Sequence, residues 1–135
     1  RFPAIRGWHT LVEGQLRRSR VLVTPVGRKR TFFGRWSDDL LREAYAYVPQ
    51  STVADVLNRG LVDLWHALPG VDHEARLALT VHDSVVVECR PSHVQPVARA
   101  IRRCVERPIE VHRRECLIPC DLMMGDNWDA LVPLT

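Results

Sequence analysis

One stretch of the sequence restricts the fold more than any other: residues 77–89, LALTVHDSVVVEC. It is apolar and rich in β-branched side chains for most of its length, but His82 and Asp83 interrupt it near the middle. Two short apolar runs joined by a polar pair are typical of a β-hairpin. We therefore predict antiparallel strands over residues 76–82 and 84–89, with the turn between them.

The acid in this turn admits two interpretations. Aspartate is common in turns, so turn formation alone explains Asp83, and the pattern by itself favours this explanation. An ionised carboxylate beside buried strands is otherwise costly unless it is hydrogen-bonded, solvated or neutralised by a cation. The second interpretation is therefore a functional carboxylate at an exposed tip.

Helical spacing of apolar residues accounts for much of the remaining chain. It predicts helices over residues 2–20, 37–47, 51–68 and 91–106. Ser37, followed by Asp38 and Asp39, has the composition of a helix N-terminus. Because proline lacks the backbone N–H that a helix interior uses, Pro49 is expected to interrupt one helix and Pro69 to end the next.

Shorter strands complete the prediction. Residues 21–24 and 31–36 are expected to pair as a small hairpin. Residues 115–124 are expected to form a last strand, in which Pro119 implies an edge position or a bulge. This order of helices and hairpins predicts an α+β fold with helices covering one face of an antiparallel sheet.

The distribution of charge is more informative than the net charge of +3. Of the 19 basic residues all but Lys29 are arginines, and many are clustered. Arginine forks suit phosphate oxygens, although any one cluster is also explained as solvated surface charge. The explanation as solvated surface charge fits one cluster least well, namely Arg28, Lys29 and Arg30. No apolar run approaches the roughly 18 residues of a membrane span, so we expect an intracellular protein with no membrane partner.

The four cysteines lack the paired CxxC spacing of a zinc site, and reduced thiols are the default expectation. A zinc site formed by Cys116, Cys120 and His112 is conceivable, but one CxxxC pair with a single histidine is a weak signal.

Val81, His82 and Asp83, set between two apolar strands, resemble motif C of the family A DNA polymerases, the DNA polymerase I class. Further segments resemble that family in the same order: residues 2–8 (FPAIRGW), 27–30 (GRKR), Arg42, 48–55 (VPQSTVAD), 118–121 (IPCD) and 125–128 (GDNW). They are similar to the segment after the fingers helix, its Gly-Arg-Arg turn, the entry to a long helix, and the strand and tail that close the palm. The resemblance spans essentially the whole chain.

This resemblance implies the C-terminal part of a polymerase palm, in which the motif C hairpin and the C-terminal strand belong to one antiparallel sheet. Residues 1–36 would follow the fingers, and residues 37–135 would form the palm portion. The implied activity is template-directed DNA synthesis, the transfer of nucleotides from dNTPs to a primer 3′-hydroxyl on primer-template DNA. In the family two Mg²⁺ ions, which Mn²⁺ can replace, assist this transfer. The implied location is the cytoplasm or nucleoid, or the host cytoplasm if the protein is viral.

The resemblance also implies roles for individual residues. Asp83 would be a catalytic metal ligand, and His82 a catalytic-site residue against the primer terminus. Gln50 would probe the minor groove of the nascent base pair, where every pair offers acceptors, and Arg42 would touch template or primer. Arg28, Lys29 and Arg30 would bind nucleic acid. Each has a structural alternative: Gln50 as a helix cap, Arg42 as a surface ion pair, and His82 as a satisfied strand-end residue.

Two departures and one gap qualify this assignment. Ser84 stands where the family often has glutamate, and Ala46 where it usually has asparagine, so one polar contact to nucleic acid is missing. The other metal-binding aspartate and the fingers helix have no counterpart in these residues. We therefore expect an upstream segment or subunit carrying motif A and the fingers, whether the chain is a fragment, a split subunit or a degenerate descendant. The isolated chain is predicted to be inactive and to expose a large apolar patch.

A different class of function stays open. In this alternative the chain is a non-catalytic module that binds nucleic acid or protein through its arginine clusters, and Asp83 only shapes a turn. Binding of divalent cations at Asp83 distinguishes the two hypotheses.

Overall fold

A computed structural model describes residues 2–111 and 113–134. In chain order the elements are α1 (Pro3–Ser19), β1 (Val21–Val23), β2 (Lys29–Thr31), α2 (Asp38–Val71), β3 (Arg76–Val81), β4 (Ser84–Glu88), a 3-10 turn (Pro91–His93), α3 (Val94–Val105), β5 (Ile109–Val111), β6 (Arg114–Cys116), β7 (Met123–Met124), a second 3-10 turn (Trp128–Ala130) and β8 (Val132–Pro133). The α+β class is confirmed. Among the described residues no helix combines the length and apolar character needed to cross a membrane.

The chain separates into two compact units, Arg1–Asp55 and Val56–Thr135. The functional division between residues 1–36 and 37–135 stays a prediction.

The described strands form four separate antiparallel hairpins, not one sheet. Thus β7 pairs with β8, and within the described ranges neither pairs with the β3–β4 hairpin. We call β3–β4 the motif C hairpin after the motif that its turn resembles. The strand predicted over residues 115–124 is wrong in its middle, because β6 ends at Cys116 and residues 117–122 form no ladder. Pro119 lies in this gap and has no N–H to donate to a neighbouring strand.

The core of the first unit lies between α1, the β1–β2 hairpin and the start of α2. Its buried side chains are Val12, Leu16, Leu22, Phe32, Leu40, Ala44 and Tyr47. The helix predicted over residues 2–20 is confirmed as α1. The partner strand predicted over residues 31–36 lies earlier, since Val21 pairs with Thr31 and Val23 with Lys29. The turn between the strands uses Gly27, whose φ of 92° favours glycine.

The predicted break at Pro49 is wrong, because α2 continues through it and through Pro69 to Val71. Proline leaves the carbonyl four residues earlier without its usual donor. Here that carbonyl belongs to Tyr45, and the indole Nε1–H of Trp8 donates to it at 3.4 Å. The predicted N-terminus is confirmed, since the backbone N–H of Leu40 donates to Ser37 Oγ at 3.2 Å.

The core of the second unit forms where α2, α3 and the motif C hairpin meet. Leu64, Leu68, Val97 and Ala100 are buried, and Leu77 and Val87 of the hairpin pack against them. The two helices approach closely at Gly60, where an added Cβ would lie 2.8 Å from the carbonyl oxygen of Cys104. A larger residue at this position would push the helices apart, so the contact requires glycine.

A buried acid, Asp72, joins the end of α2 to the hairpin that follows. Its side chain is fully buried and forms an ion pair with Arg90 at 2.8 Å. The carboxylate also accepts from the backbone N–H groups of Glu74 at 3.1 Å and Arg90 at 3.0 Å. Burial alone raises the pKa of Asp72, but the hydrogen bonds from Arg90 and Glu74 and the Arg90 charge outweigh it and lower the pKa to about 2. Sequence patterns indicated only a loop here.

Asp72→Asn is expected to destabilise the protein at neutral pH. Because the folded-state pKa is lowered from 3.8 to about 2, the stabilising contribution is fully present above about pH 4 and is lost as pH falls toward 2. Melting temperatures measured between pH 2 and 7 should therefore converge for variant and parent at the acid end. Asp126→Asn, which changes an exposed carboxylate of the same unit, serves as control. A constant gap between variant and parent across the whole range would contradict the prediction.

Candidate functional site

The two strands of the motif C hairpin are joined by a turn of two residues. Val81 pairs with Ser84, which leaves His82 and Asp83 as the only residues of the turn. His82 has a φ of 54°, in the left-handed region. Residues other than glycine seldom adopt this conformation, although histidine does so more readily than most. Backbone strain of this kind concentrates at functional sites.

The base of the hairpin is anchored while its tip is open. At the base, Arg76 and Glu88 face each other across the strands in a solvent-exposed ion pair at 2.7 Å, which by itself contributes little to stability. Leu77 and Val87, the next pair, pack on the core of the unit. Between Leu77 and Leu79 the register shifts by a bulge, which bends the strand before it reaches the tip.

His82 and Asp83 are both exposed. Within residues 2–111 and 113–134, no hydrogen bond or ion pair engages the Asp83 carboxylate. The same ranges contain no group of three histidine, cysteine, aspartate or glutamate side chains that could hold a metal ion. The donor chemistry of Asp83 fits one ligand of a hard cation, and the remaining ligands of such a site would come from other groups.

The zinc alternative receives no support from the described residues. His112 lies outside them. Burial, followed by the nearby carboxylate of Glu106, raises the pKa of Cys120.

The uninterrupted α2 places two predicted DNA-binding residues on one row. Arg42, Ala46 and Gln50 are four residues apart, and residues at this spacing lie along the same ridge of a helix. At 1.5 Å per residue the row is about 12 Å long. Arg42 and Gln50 are exposed and Ala46 is partly buried. The row therefore presents a guanidinium and an amide with a small gap between them.

The structure decides one alternative for Gln50. Because α2 begins at Asp38, Gln50 lies in the helix interior, and the hypothesis that it caps a helix is wrong. Arg42 does form a surface ion pair, with Asp39 at 3.2 Å, but its side chain is 76% exposed. A pair this solvated contributes little to stability and leaves the guanidinium accessible. That Arg42 contacts template or primer is still a prediction.

Arg28 lies at the entry to β2 and binds an acid of α2. Its Nε lies 3.0 and 2.9 Å from the two carboxylate oxygens of Asp55, and its terminal nitrogen forms an ion pair with the same group. The hydrogen bond and charge of Asp55 raise the pKa of Arg28. Tyr47 adds a hydrogen bond to the Arg28 carbonyl at 3.3 Å. Sequence reasoning missed Asp55, because nothing in its local pattern indicates a partner 27 residues away.

The other two residues of this basic cluster differ in how they are held. Arg30 forms an ion pair with Glu43 at 2.7 Å and lies over the rings of Phe32 and Tyr47, 4.7 and 5.8 Å from their centroids. Lys29 is exposed, and within the described parts of the chain no hydrogen bond or ion pair holds its ammonium group. The structure thus brings Arg28, Lys29 and Arg30 to one hairpin, with two of the three charges neutralised by acids.

Comparison with known proteins identifies the family of the chain. The model of the family described as DNA polymerase family A matches residues 1–130. The chain is 33% identical to DNA polymerase I of Chloroflexus aurantiacus over 69% of its length, and 29% identical to the thermostable DNA polymerase I of Thermus aquaticus over 94%. It is 23% identical to DNA polymerase theta of Caenorhabditis elegans over 96%. The chain belongs to DNA polymerase family A.

The chain spans only a small part of each of these relatives. It covers 10% of the Chloroflexus protein, 15% of the Thermus protein and 8% of the Caenorhabditis protein. The activity and partners of the complete polymerases are therefore only proposals for this chain.

His82→Gly is expected to raise the free energy of unfolding by about 0.5–1 kcal/mol. The left-handed backbone costs a residue with a Cβ about 1–2 kcal/mol, and the added flexibility of glycine in the unfolded chain offsets part of that gain. Chemical denaturation of variant and parent measures the difference. His93→Gly is the control, because His93 is not among the residues with positive φ and this change should only destabilise. A less stable His82→Gly variant would contradict the assignment of strain to the turn.

Proposed function

We propose that this chain is the C-terminal palm segment of a template-directed DNA polymerase that transfers nucleotides to a primer 3′-hydroxyl. The observation that carries the proposal is Asp83, an exposed carboxylate without a partner in the described chain, on a two-residue turn whose base is anchored. Membership of DNA polymerase family A supplies the reaction class.

Asp83 supplies one carboxylate of a metal site in this proposal. When bound, two Mg²⁺ or Mn²⁺ ions would activate the primer hydroxyl and stabilise the charge on the leaving pyrophosphate. The protein's own contribution is positional: the flanking strands fix the Cα of Asp83, and the open tip leaves its oxygens free. His82, next to it and exposed, is proposed to contact the primer terminus.

The row of Arg42, Ala46 and Gln50 is proposed to face the minor groove of the nascent duplex. An amide or guanidinium donor there can test base-pair geometry without reading sequence, because every pair presents acceptors in that groove. The exposure of both polar side chains supports this role.

The basic hairpin is proposed to contact the DNA backbone. Lys29 is the residue best placed to act as a simple phosphate ligand, because Arg28 and Arg30 already hold Asp55 and Glu43. Phosphate would have to compete with those acids. Arg28 and Arg30 are therefore proposed to stay paired with these acids in the absence of DNA and to donate hydrogen bonds to phosphate when DNA binds.

A further polypeptide is proposed to complete the enzyme: an upstream segment or subunit that carries motif A, the fingers and the dNTP site. Support comes from large apolar side chains that the second unit leaves exposed, namely Val62, Trp65, Leu79, Val81, Leu117, Met123, Met124, Trp128, Leu131 and Val132. Burying such surface against a partner is favourable by about 25 cal/mol per Å². The proposed location is inside the cell, where such a partner and primer-template DNA occur together.

One observation favours a second candidate, a non-catalytic binding module: the described residues contain no complete set of metal ligands. Titration with Mg²⁺ or Mn²⁺, followed by NMR, separates the two. The polymerase proposal expects perturbed signals confined to residues around Asp83, and the binding module expects none.

Asp83→Asn is expected to abolish nucleotide incorporation and leave primer-template binding largely unchanged, because the lost carboxylate acts on the metal ions and not on the duplex. Incorporation would be measured with the upstream segment of the same polymerase added in trans, since the isolated chain is expected to be inactive. Glu110→Gln, an exposed acid in another hairpin of the same unit, is the matched control. Full activity of Asp83→Asn, or turnover by the isolated chain, would contradict the proposal.

Ala46→Asn is expected to tighten primer-template binding by about threefold, the effect of one added hydrogen bond. The new amide would fill the gap between Arg42 and Gln50 on the same helix row. Gln50→Ala should weaken binding by a similar factor. Fluorescence anisotropy with a labelled primer-template measures both, and an unchanged affinity in both variants would show that this row does not face DNA.

A further inference from the structure

An exposed aromatic side chain marks the connection between β2 and α2. We call residues 32–37 (FFGRWS) the aromatic loop. Its first ring, Phe32, is 4% exposed and belongs to the core, whereas the adjacent Phe33 is 91% exposed. Phe33 therefore contributes almost nothing to the folded unit through burial. A ring held in water in this way is available for contact with a ligand.

The aromatic loop is held in place by contacts with Arg17 and Arg20 and by the burial of Phe32. Arg20 donates to the carbonyl of Gly34 at 3.0 Å. The guanidinium carbons of Arg17 and Arg20 lie 4.6 and 5.3 Å from the ring centroid of Trp36. The buried Phe32 fixes the start of the loop, so Phe33 is displayed by an ordered backbone and needs little further ordering to bind.

The sequence around the aromatic loop is strongly basic, although Arg28 and Arg30 are paired with Asp55 and Glu43. Residues 17–36 contain seven basic residues and no acid: Arg17, Arg18, Arg20, Arg28, Lys29, Arg30 and Arg35. The nearest acids along the chain, Asp38 and Asp39, begin α2, and Asp39 is paired with Arg42. Glu43, which lines the shallow cleft beside the loop, is paired with Arg30. A ligand that carries negative charge and a flat apolar face would therefore be complementary to this surface.

We propose that the aromatic loop binds unpaired nucleotides, with a base stacked on Phe33 and the flanking phosphates on Arg17, Arg20 and Arg35. Single-stranded nucleic acid presents alternating flat bases and regular negative charges, which match an exposed ring among arginines. The proposal rests on the proposed function only in taking the strand to be unpaired template DNA. Its residues are distinct from His82, Asp83 and the row on α2.

The test uses the full chain and a fluorescein-labelled 12-nucleotide oligo(dT), with affinity measured by anisotropy. Phe33→Ala should weaken binding by about fivefold or more, the range for loss of one stacked base. Arg35→Gln should lower the slope of log affinity against log salt by about 0.7, the value for one phosphate contact on a single strand. Phe2→Ala, which removes a phenylalanine ring that is 79% exposed in the same unit, is the matched control and should bind like the parent.

Because Phe33 is almost fully exposed, Phe33→Ala should melt at the parent temperature, and this is measured first. Equal oligo(dT) affinity in Phe33→Ala and the parent overturns the inference. Reduced self-association of Phe33→Ala in sedimentation, without a change in oligo(dT) binding, also overturns it and assigns the ring to a protein contact.

A blunt DNA hairpin separates this inference from the proposed function. If the parent does not bind the duplex but does bind oligo(dT), and this binding depends on Phe33, the result counts against the polymerase proposal alone. If duplex binding depends on Gln50 and oligo(dT) affinity is the same with and without the Phe33 ring, the result counts against the stacking site alone.

Discussion

The candidate catalytic turn depends on a buried charge that lies well outside it. Asp72 closes α2, precedes β3 and binds both the backbone and the guanidinium of Arg90 beyond β4. It thereby ties together the two ends of the hairpin that carries Asp83. Such a charge is tolerated in the interior only when its hydrogen-bonding capacity is met, because removing one partner leaves an uncompensated ion. The same acid thus fixes where the hairpin starts and where it ends.

Helix α2 makes a comparable contribution in the first unit. A single indole hydrogen bond, from Trp8 to Tyr45, supplies the donor that Pro49 cannot. The helix therefore keeps its phase across the proline, and residues 42, 46 and 50 stay on one ridge. With a break at Pro49 the amide and the guanidinium would have no defined relation. The proposed duplex contact thus depends on the continuity of α2 across Pro49, to which a tryptophan outside the row contributes one hydrogen bond.

Local patterns predicted the elements that local forces determine. The motif C hairpin, α1, the Ser37 cap and the α+β class follow from periodicity and capping, and the structure confirms each. Local patterns missed features that involve hydrogen bonds between residues far apart in the sequence. These hydrogen bonds join Trp8 to Tyr45 in α2, Arg28 to Asp55, and Arg90 to Asp72. No sequence window contains both members of such a pair. Asp83 was identified through the family resemblance, because its turn pattern alone favoured a structural role.

The backbone of His82 has a consequence for the energetics of the hairpin. A left-handed conformation at a residue with a Cβ costs free energy at the tip. At the other end of the same strands, Leu77 and Val87 pack on the core of the unit. Burial near the base therefore offsets the cost of holding the histidine and the acid in their turn. The shape of the tip is thus maintained by contacts that the tip itself does not make.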